Sequence, residues 1–311
     1  MTPRWYSKAG FWSDDPGAVL SLLAVPNVSE GRDFARLDRL EAALGEEVTL
    51  LDRHSDLDHH RAVFTLAGPA GTLGDALTGL AGAAVTEIDM TAWHGLHPAI
   101  GALDVCPVVW LSEQRREMAG EVAIEVARAI GKMGVPVFLY GDLASDADRR
   151  ERAYYRAGGP DSLWQRMTSG SLTPDFGPDR PHPTAGATLV TARAPLAAFN
   201  LELGTDDVGV AREIAAAIRE SPEDGIPGVR ALGLALSTGR AQVSTNVHDP
   251  IATPLCEVVE AVQEQAAIRG TMVVEAELIG LIPEAALEDY PEDVPIRDFD
   301  PTFHIIERRL K

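Results

Sequence analysis

The sequence predicts an α+β protein whose two halves each follow the order β-α-β-β-α-β, with one more helix and strand attached to the first half. Short apolar runs alternate with segments whose apolar residues recur at helical spacing, and the same order of elements returns after a long stretch rich in Gly and Pro. That order is the split βαβ arrangement of ferredoxin-like folds. The length of 311 residues suits two such units. We expect a ligand site enclosed between their two sheets, because ligand pockets favour domain interfaces.

In the first half, Ser21–Val28 is predicted to be a strand, and the residues after it supply turn and capping groups for a helix that stops at Gly45. The following elements are, in chain order, strands at Val48–Asp52 and Ala62–Ala67 joined by the polar loop His54–Arg61, a helix at Thr72–Glu87, a strand at Val105–Trp110, a helix at Glu113–Met133 and a strand at Val137–Tyr140. The stretch Gly141–Pro183 has weak periodicity, so we expect a long loop there.

The second half repeats the pattern. Its predicted elements are strands at Ala197–Leu203, Val229–Leu236, Ala241–Val247 and Thr271–Ile282, and helices at Asp207–Glu220 and Pro254–Arg269. We therefore expect an N-terminal subdomain at 19–190 and a C-terminal subdomain at 191–290, with extensions at 1–18 and 291–311.

The charge of the chain excludes some partners. Its formal net charge is −20, which argues against nucleic acid or an anionic membrane as partner, because both require clustered basic residues. Lysine occurs only at Lys8, Lys132 and Lys311, so nearly all basic residues are arginine, which grips carboxylates as a planar fork. The two cysteines lie far apart, and neither a signal sequence nor a membrane span is recognisable, so we expect a cytoplasmic protein.

The sharpest chemical signal is the run from His94 to Asp104. His97 precedes a proline, which favours an extended backbone, and flanking glycines permit close approach of a ligand. Such a histidine can act as a general base and acid near neutral pH, although the local composition alone favours a structural role in a turn. His59, His60, His94 and His97 together could also hold a metal, but their spacing matches no known zinc motif.

A second segment, from Thr173 to Ala187, contains four prolines and two glycines and is expected to be stiff and extended. It could present backbone groups to a planar ligand, or it could simply link two domains. No phosphate-binding glycine motif or nucleophile elbow occurs in the chain.

Taken together and in order, these segments resemble glutamate formimidoyltransferase, the transferase part of formiminotransferase-cyclodeaminase. The resemblance depends on short motifs that include Val25–Gly31, Asp58–Thr65, His94–Pro98, Gly101–Pro107, Pro174–Pro178, Gln242–Asn246 and Ile279–Pro283. The similarity spans about residues 22–287, and the cyclodeaminase domain is expected to be absent.

The resemblance implies formimidoyl transfer from N-formimino-L-glutamate to N5 of tetrahydrofolate in histidine degradation, within a homodimer whose subdomains enclose a folate tunnel. It implies no metal and only small-molecule partners, and it makes His97 the catalytic base. Substrate binding is assigned to Asn27, Arg61, His94 and Asp104, with Arg180 as a further candidate for a carboxylate. The folate-binding segment is expected to comprise Gly177, Pro178, Asp179, Arg180, Pro181, His182, Pro183, Thr184, Ala185 and Gly186.

The chain departs from the usual family motif around the base, His-x-Gly-Glu-His-Pro-Arg. Trp93, Leu96 and Ala99 stand where that motif has a histidine, an acid and an arginine, and His60 replaces the usual asparagine before Arg61. The alternative is therefore a paralogue that binds folate but is non-catalytic or uses another substrate.

Overall fold

The structure is a computed structural model that describes residues 21–96, 98–221 and 224–310. These residues form two compact units, which divide between Arg193 and Ala194. The expected extension 1–18 and the predicted base His97 lie outside the described residues. No helix among the described residues is both long enough and apolar enough to span a bilayer.

The first unit is a mixed sheet with helices. Its strands are β1 Ser21–Ala24, β2 Asn27–Val28, β3 Thr49–Asp56, β4 Arg61–Pro69, β5 Leu103–Val109, β6 Val137–Leu139 and β7 Thr188–Arg193. Its helices of four or more residues are α1 Phe34–Ala42, α2 Ala70–Glu87, α3 Arg116–Lys132, α4 Arg152–Arg156 and α5 Gly159–Thr168.

Strands β1 and β2 are two parts of one interrupted strand. Both pair antiparallel with β4 on one side and with β5 on the other. The interruption falls at Val25 and Pro26, because proline has no N–H to donate to the ladder. Strand β3 pairs with the free side of β4, while β7 and then β6 continue the sheet beyond β5 in parallel.

A bulge in β5 prepares the site. Val28 pairs with Leu103, but the neighbouring Asn27 pairs with Val105, so Asp104 is one extra residue on the β5 side. A bulge of this kind bends the strand and redirects a side chain. The side chain of Asp104 therefore need not follow the alternation of side chains between the two faces of the sheet.

The second unit has a four-stranded antiparallel sheet of order β11-β8-β10-β9, with β8 Ala197–Leu203, β9 Val229–Ala235, β10 Ala241–Val247 and β11 Val273–Ile279. Its longer helices, α6 Val208–Ile218 and α7 Leu255–Ile268, bury residues such as Ile214 and Val259 in one core with Phe199 of β8. Two short helices, α8 Pro301–His304 and α9 Ile306–Arg309, follow.

The mixed α+β class and the two sheets agree with the prediction. The ferredoxin-like classification and the folate tunnel stay predictions.

Two local predictions were wrong. The expected loop Gly141–Pro183 contains helices α4 and α5, which bury few side chains, among them Tyr155 and Leu163, so their apolar residues show only a weak helical period. Strand β7 was not predicted, and it spans the predicted domain boundary at 190/191, which stays a prediction. His54 lies within β3, which continues to Asp56.

The segment after residue 290 is part of the second unit rather than an appendage. Val294 is buried in its core, and the Arg297 amide donates to Ala276 of β11. The amide of Ile306 likewise donates to Ile282. The chain beyond β11 therefore contributes to the stability of this unit.

Candidate functional site

The loop 93–100, which carries the position of His97 and which we call the histidine loop, is fastened at both ends. At its start, the Trp93 indole N–H donates to the His60 carbonyl (3.1 Å), and the Leu96 amide donates to the Asp58 carbonyl (3.1 Å). At its end, the Ile100 amide donates to Oδ1 of Asp104 (2.8 Å). Residue 97 is thus bracketed by two fixed points only a few residues apart in the chain.

The first fastening also includes an aromatic stack. The rings of His60 and Trp93 are nearly parallel, at an interplanar angle of 13° with centroids 6.0 Å apart. Gly95 lies against the same group: a Cβ at this position would overlap the His59 carbonyl oxygen and come within 2.8 Å of Cη2 of Trp93. The close approach of the two loops therefore requires glycine at position 95. We call the assembly of His60, Trp93 and Gly95 the clasp.

Glu30 holds the other side of His60. Its Oε1 accepts the backbone amides of Gly31 (2.9 Å), Arg32 (2.8 Å) and Asp33 (3.0 Å), and its Oε2 pairs with Arg36. Burial alone would raise the pKa of Glu30, but these hydrogen bonds outweigh it and hold the pKa below its usual value. Glu30 is therefore an anion fixed in the turn before α1.

The ring of His60 faces this turn and stays neutral near pH 7. Burial lowers its pKa, and the charges of nearby arginines and His94 add to the effect, while Glu30 opposes it. The Gly31 amide donates to Nδ1 of His60 (3.2 Å), so Nδ1 is the acceptor nitrogen of the neutral ring.

His59 is buried on the other side of the loop. Its backbone amide donates to Oδ1 of Asp56 (2.7 Å), and its Nδ1 lies 3.0 Å from the same oxygen. Burial alone would raise the pKa of Asp56, but the hydrogen bond and charge of His59 lower it to about 2. His59 is thus tied to Asp56, which fixes the turn between β3 and β4.

Asp104 is only 2% exposed and uses both carboxylate oxygens: Oδ1 accepts the Ile100 amide, and Oδ2 pairs with Arg156 of α4. Arg61, the first residue of β4, belongs to the same cluster. Burial lowers the pKa of Arg61 to about 9, with Arg156 and Arg152 contributing repulsion and Asp104 opposing it. Asp104 therefore joins the histidine loop to a group of arginines.

The proline-rich segment closes on the same loop. His182 and Gly186 exchange backbone hydrogen bonds (3.0 and 3.2 Å), and the Thr184 carbonyl accepts the Met90 amide (2.8 Å). Gly101 forms an isolated bridge with Gly186, and a Cβ on Gly101 would come within 2.9 Å of the Ala185 carbonyl oxygen. The end of the histidine loop and the end of the proline-rich segment therefore pack backbone to backbone.

Two sequence comparisons bear on these features. The family model of the formiminotransferase domain, N-terminal subdomain, matches residues 21–193, and the model of the formiminotransferase domain matches residues 198–292. The chain belongs to the formiminotransferase family. It is 38% identical over 291 residues to glutamate formimidoyltransferase of Streptococcus pyogenes serotype M1, a match that covers 92% of this chain and 97% of the relative.

Two more relatives are similar over most of this chain. Glutamate formimidoyltransferase of Thermoplasma acidophilum is 34% identical, with 92% of this chain and 96% of the relative covered. Formimidoyltransferase-cyclodeaminase of Sus scrofa is 36% identical over 278 residues, and the match covers 85% of this chain but 50% of the relative.

Within this formiminotransferase fold, the predicted substrate residues lie in three places. Arg61 and Asp104 lie in one cluster, whereas His94 is exposed on the histidine loop. Asn27 is buried in β2; its Nδ2 donates to the Val25 carbonyl (2.7 Å), and its Oδ1 has no hydrogen-bond partner.

The predicted folate segment is also divided. Asp179 and Arg180 are exposed, whereas Ala185 and Gly186 are buried. The side chain of His182 stabilises the turn that follows it, because its Nδ1 accepts hydrogen bonds from the amides of Thr184 (3.3 Å) and Ala185 (3.0 Å).

Sequence reasoning missed Glu30 and the arginines of α4 and β7. Glu30 was included in the motif Val25–Gly31 but was interpreted only as part of a cap, and the later arginines fall in or beyond the stretch expected to be a loop. No helix was predicted at α4. A helix there would have placed Arg152 and Arg156, which are four residues apart, on one face.

The substituted positions and the metal hypothesis can also be placed. Leu96 is 45% exposed, whereas Ala99 is buried, at 7% exposed. Among the described residues, which do not include His97, no three His, Cys, Asp or Glu side chains are arranged to hold a metal ion.

Proposed function

We propose that this chain transfers the formimidoyl group of N-formimino-L-glutamate to tetrahydrofolate. N5 of the folate attacks the amidine carbon and forms a tetrahedral intermediate. The bond from that carbon to the glutamate nitrogen then breaks, so that 5-formimidoyltetrahydrofolate and free glutamate leave. One proton moves from N5 to the departing nitrogen, and no oxidant, reductant or metal is needed for the balance.

His97 is proposed to carry that proton. As a base it would take the proton of N5 as the intermediate forms, and as an acid it would give it to the glutamate nitrogen. The family membership and the matching His-Pro motif support this assignment. The clasp before it and the Asp104 hydrogen bond after it would hold the imidazole in a repeatable place, which is what efficient proton transfer requires.

The acceptor folate is proposed to lie along residues 177–186. Support comes from the backbone contacts between Gly186 and Gly101, which bring the end of this segment to the histidine loop. Glycine at both positions lets the two backbones approach each other closely.

One observation carries the proposal: the loop of the base is fastened directly to Asp104, which in turn pairs with an arginine of a buried cluster. In a protein of net charge −20, such a local concentration of guanidinium groups is suited to an anionic donor. Asp104 thus connects the loop of the proposed base with the arginines that would bind the anionic donor.

The test is His97→Ala, assayed with tetrahydrofolate and formiminoglutamate and compared with His304→Ala, a histidine of the second unit that no step uses. We expect the first variant to lose about 10²- to 10⁴-fold in kcat and to keep folate binding, measured by fluorescence titration, while the control retains both. More than a tenth of wild-type activity in His97→Ala would refute the assignment of the base.

If the wild-type protein binds folate but transfers nothing from formiminoglutamate, the alternative of a folate-binding paralogue replaces the proposal. A panel of other formimino donors would then show whether a different substrate is used. The cytoplasmic location and the homodimer stay predictions.

A further inference from the structure

His60 connects the histidine loop to the turn before α1. Its backbone carbonyl accepts the Trp93 indole N–H (3.1 Å), and its ring stacks on the ring of Trp93. Its Nδ1 accepts the Gly31 amide (3.2 Å) and lies 3.5 Å from Oε1 of Glu30. The side chain is only 15% exposed, so the position of the ring depends on these protein contacts rather than on water.

The backbone at His60 is held in an uncommon conformation. Its φ is +49°, in the left-handed region that residues other than glycine, asparagine and aspartate rarely adopt. The preceding residue, His59, is tied to Asp56 through both its amide and its ring. Because the main chain is fixed there, a displaced His60 ring has to rearrange against Trp93 and Glu30.

The contacts at Nδ1 of His60 require a neutral ring. An imidazole nitrogen that accepts the Gly31 amide carries no proton, whereas both ring nitrogens of an imidazolium are donors. Oε1 of Glu30 is an acceptor within reach of a protonated Nδ1, but it already accepts three backbone amides. Protonation would therefore replace one hydrogen bond by two donors, Nδ1–H and the Gly31 amide, that face each other.

Burial is the main influence against a proton on this ring. Arg32 in the turn, Arg36 of α1 and His94 of the histidine loop also oppose the proton by repulsion. Glu30 favours it, but the sum lowers the pKa of His60 below its ordinary value of 6.5. The neutral ring is thus the form present near pH 7, and the imidazolium forms in acid.

We propose that His60 is a positioning residue for transfer: its neutral ring holds the histidine loop in place, and its protonation opens the clasp. This inference rests on the proposed function for its effect on the rate. Moving Nδ1 from 3.5 Å to a charged hydrogen-bond distance of about 2.8 Å from Oε1 of Glu30 displaces the ring by about 0.7 Å. The stacked Trp93 must then move or lose the stack, and a shift of about 1 Å at a proton-transfer group can cost about 10²-fold in rate.

His60→Asn removes the titrating ring and keeps the acceptor. Oδ1 of asparagine, like Nδ1 of histidine, is bonded to Cγ, so it can accept the Gly31 amide without gaining a proton in acid. Asparagine also tolerates the φ of +49°, and the backbone carbonyl at position 60 remains available to Trp93. Since the variant loses the stack as well as the charge, each activity profile is normalised to its own value at pH 8.

The first measurement follows the clasp without turnover. NMR of the isotope-labelled protein records histidine rings and tryptophan indole N–H groups from pH 8 down to the onset of acid unfolding, and His60→Asn and Trp93→Phe identify the two signals. We expect the Trp93 indole N–H to shift with the same midpoint as His60, below pH 6.5. A His60 ring that stays neutral throughout, or an indole signal that does not follow it, would overturn the inference.

The second measurement is the pH profile of kcat. The proposed base His97 titrates in both proteins, so the contribution of His60 is the ratio of the two normalised profiles. At the pH where NMR finds His60 half protonated, the wild type should have about half the normalised kcat of His60→Asn, and about a tenth when His60 is nine-tenths protonated. Profiles that superimpose would overturn the inference. The control His304→Ala, in the second unit, should follow the wild type.

Arg32→Gln should change the midpoint in one direction. Arg32 is exposed and repels a proton on His60, so its loss should move the midpoint upward in both measurements. The matched control is Arg39→Gln, because the exposed guanidinium of Arg39 is neutralised by Glu87 (2.8 Å), and its midpoint should equal that of the wild type. An unchanged or lower midpoint in Arg32→Gln would contradict the assignment of the titration to His60.

The outcomes also separate this inference from the proposed function. If the indole N–H follows His60 in a protein that transfers no formimidoyl group, the pH-dependent clasp stands and the function is refuted. If transfer proceeds with a profile that is independent of His60, the function stands and the inference is wrong.

Discussion

Replacing Gly95 by alanine tests whether the clasp positions the histidine loop, which carries the proposed base. The added Cβ would overlap the His59 carbonyl oxygen and approach Cη2 of Trp93 to 2.8 Å. One neighbour is a backbone atom and the other a ring that is stacked on His60, so neither can give way without moving the loop.

The magnitude follows from this crowding. Forcing one extra methyl group into close packing costs about 1–3 kcal/mol, while alanine gains back about 0.4–1 kcal/mol by restricting the unfolded chain. We expect a net loss of about 1–2 kcal/mol in the free energy of unfolding. The rate should suffer more, because a displacement of about 1 Å at a proton-transfer group can cost about 10²-fold in kcat.

The assay combines urea unfolding with steady-state kinetics for both substrates. Gly71→Ala is the matched control, since a Cβ at that position of α2 meets nothing within 4 Å and alanine favours a helix by about 0.5–1 kcal/mol. If Gly95→Ala keeps kcat within twofold and unfolds at the wild-type urea concentration, the clasp does not position the loop.

Three further predictions concern stability and reactivity. Asp104→Ala should lower the free energy of unfolding by about 3–5 kcal/mol in urea titrations, because Arg156 is left buried without its partner; a loss under 1 kcal/mol would contradict the buried pair. Since the pKa of Asp56 falls from 3.8 to about 2 on folding, its ionised form stabilises the fold above pH 4, and this contribution is lost as the pH falls toward 2. Asp56→Asn should therefore cost about 2 kcal/mol at pH 7 and almost nothing at pH 2, and equal costs at both pH values would show that the charge is irrelevant. Burial raises the pKa of Cys106 to about 12, so its thiol should resist a disulfide reagent at pH 8 in the native protein and react once urea unfolds the chain; rapid labelling of Cys106 in the native protein, located by mass spectrometry, would contradict the burial.

The bounds of an element could be predicted from the sequence where its own residues show a clear periodic pattern. Strands β8 and β10 have the predicted bounds, Ala197–Leu203 and Ala241–Val247, because alternation and a tight turn define them locally. Helix α2 begins at Ala70, two residues before its predicted start. Pro69, whose φ is fixed by its ring, is the residue that precedes the helix.

Elements with little buried surface escaped prediction. Helix α4 has five residues and buries Tyr155, and α5 buries Leu163 and Met167, so neither produces a clear period. Strand β7 is buried along nearly its whole length within a parallel part of the sheet, where alternation disappears.

The site shows the same division. Arg61 and Asp104 could be selected because they stand in recognisable motifs, but Arg156 comes from a distant segment, α4, that only the folded chain brings to Asp104. The stack of His60 on Trp93 joins residues 33 apart in sequence, and nothing local to either one predicts it.

The most direct test of the account is the stoichiometry of a single turnover. Purified protein is mixed with a limiting amount of formiminoglutamate and excess tetrahydrofolate, and free glutamate and the folate product are both quantified by mass spectrometry. The account predicts one glutamate released for each 5-formimidoyltetrahydrofolate formed, and no glutamate when folate is omitted. Release of glutamate without folate, or binding of folate with no release of glutamate, would contradict formimidoyl transfer as the reaction of this chain.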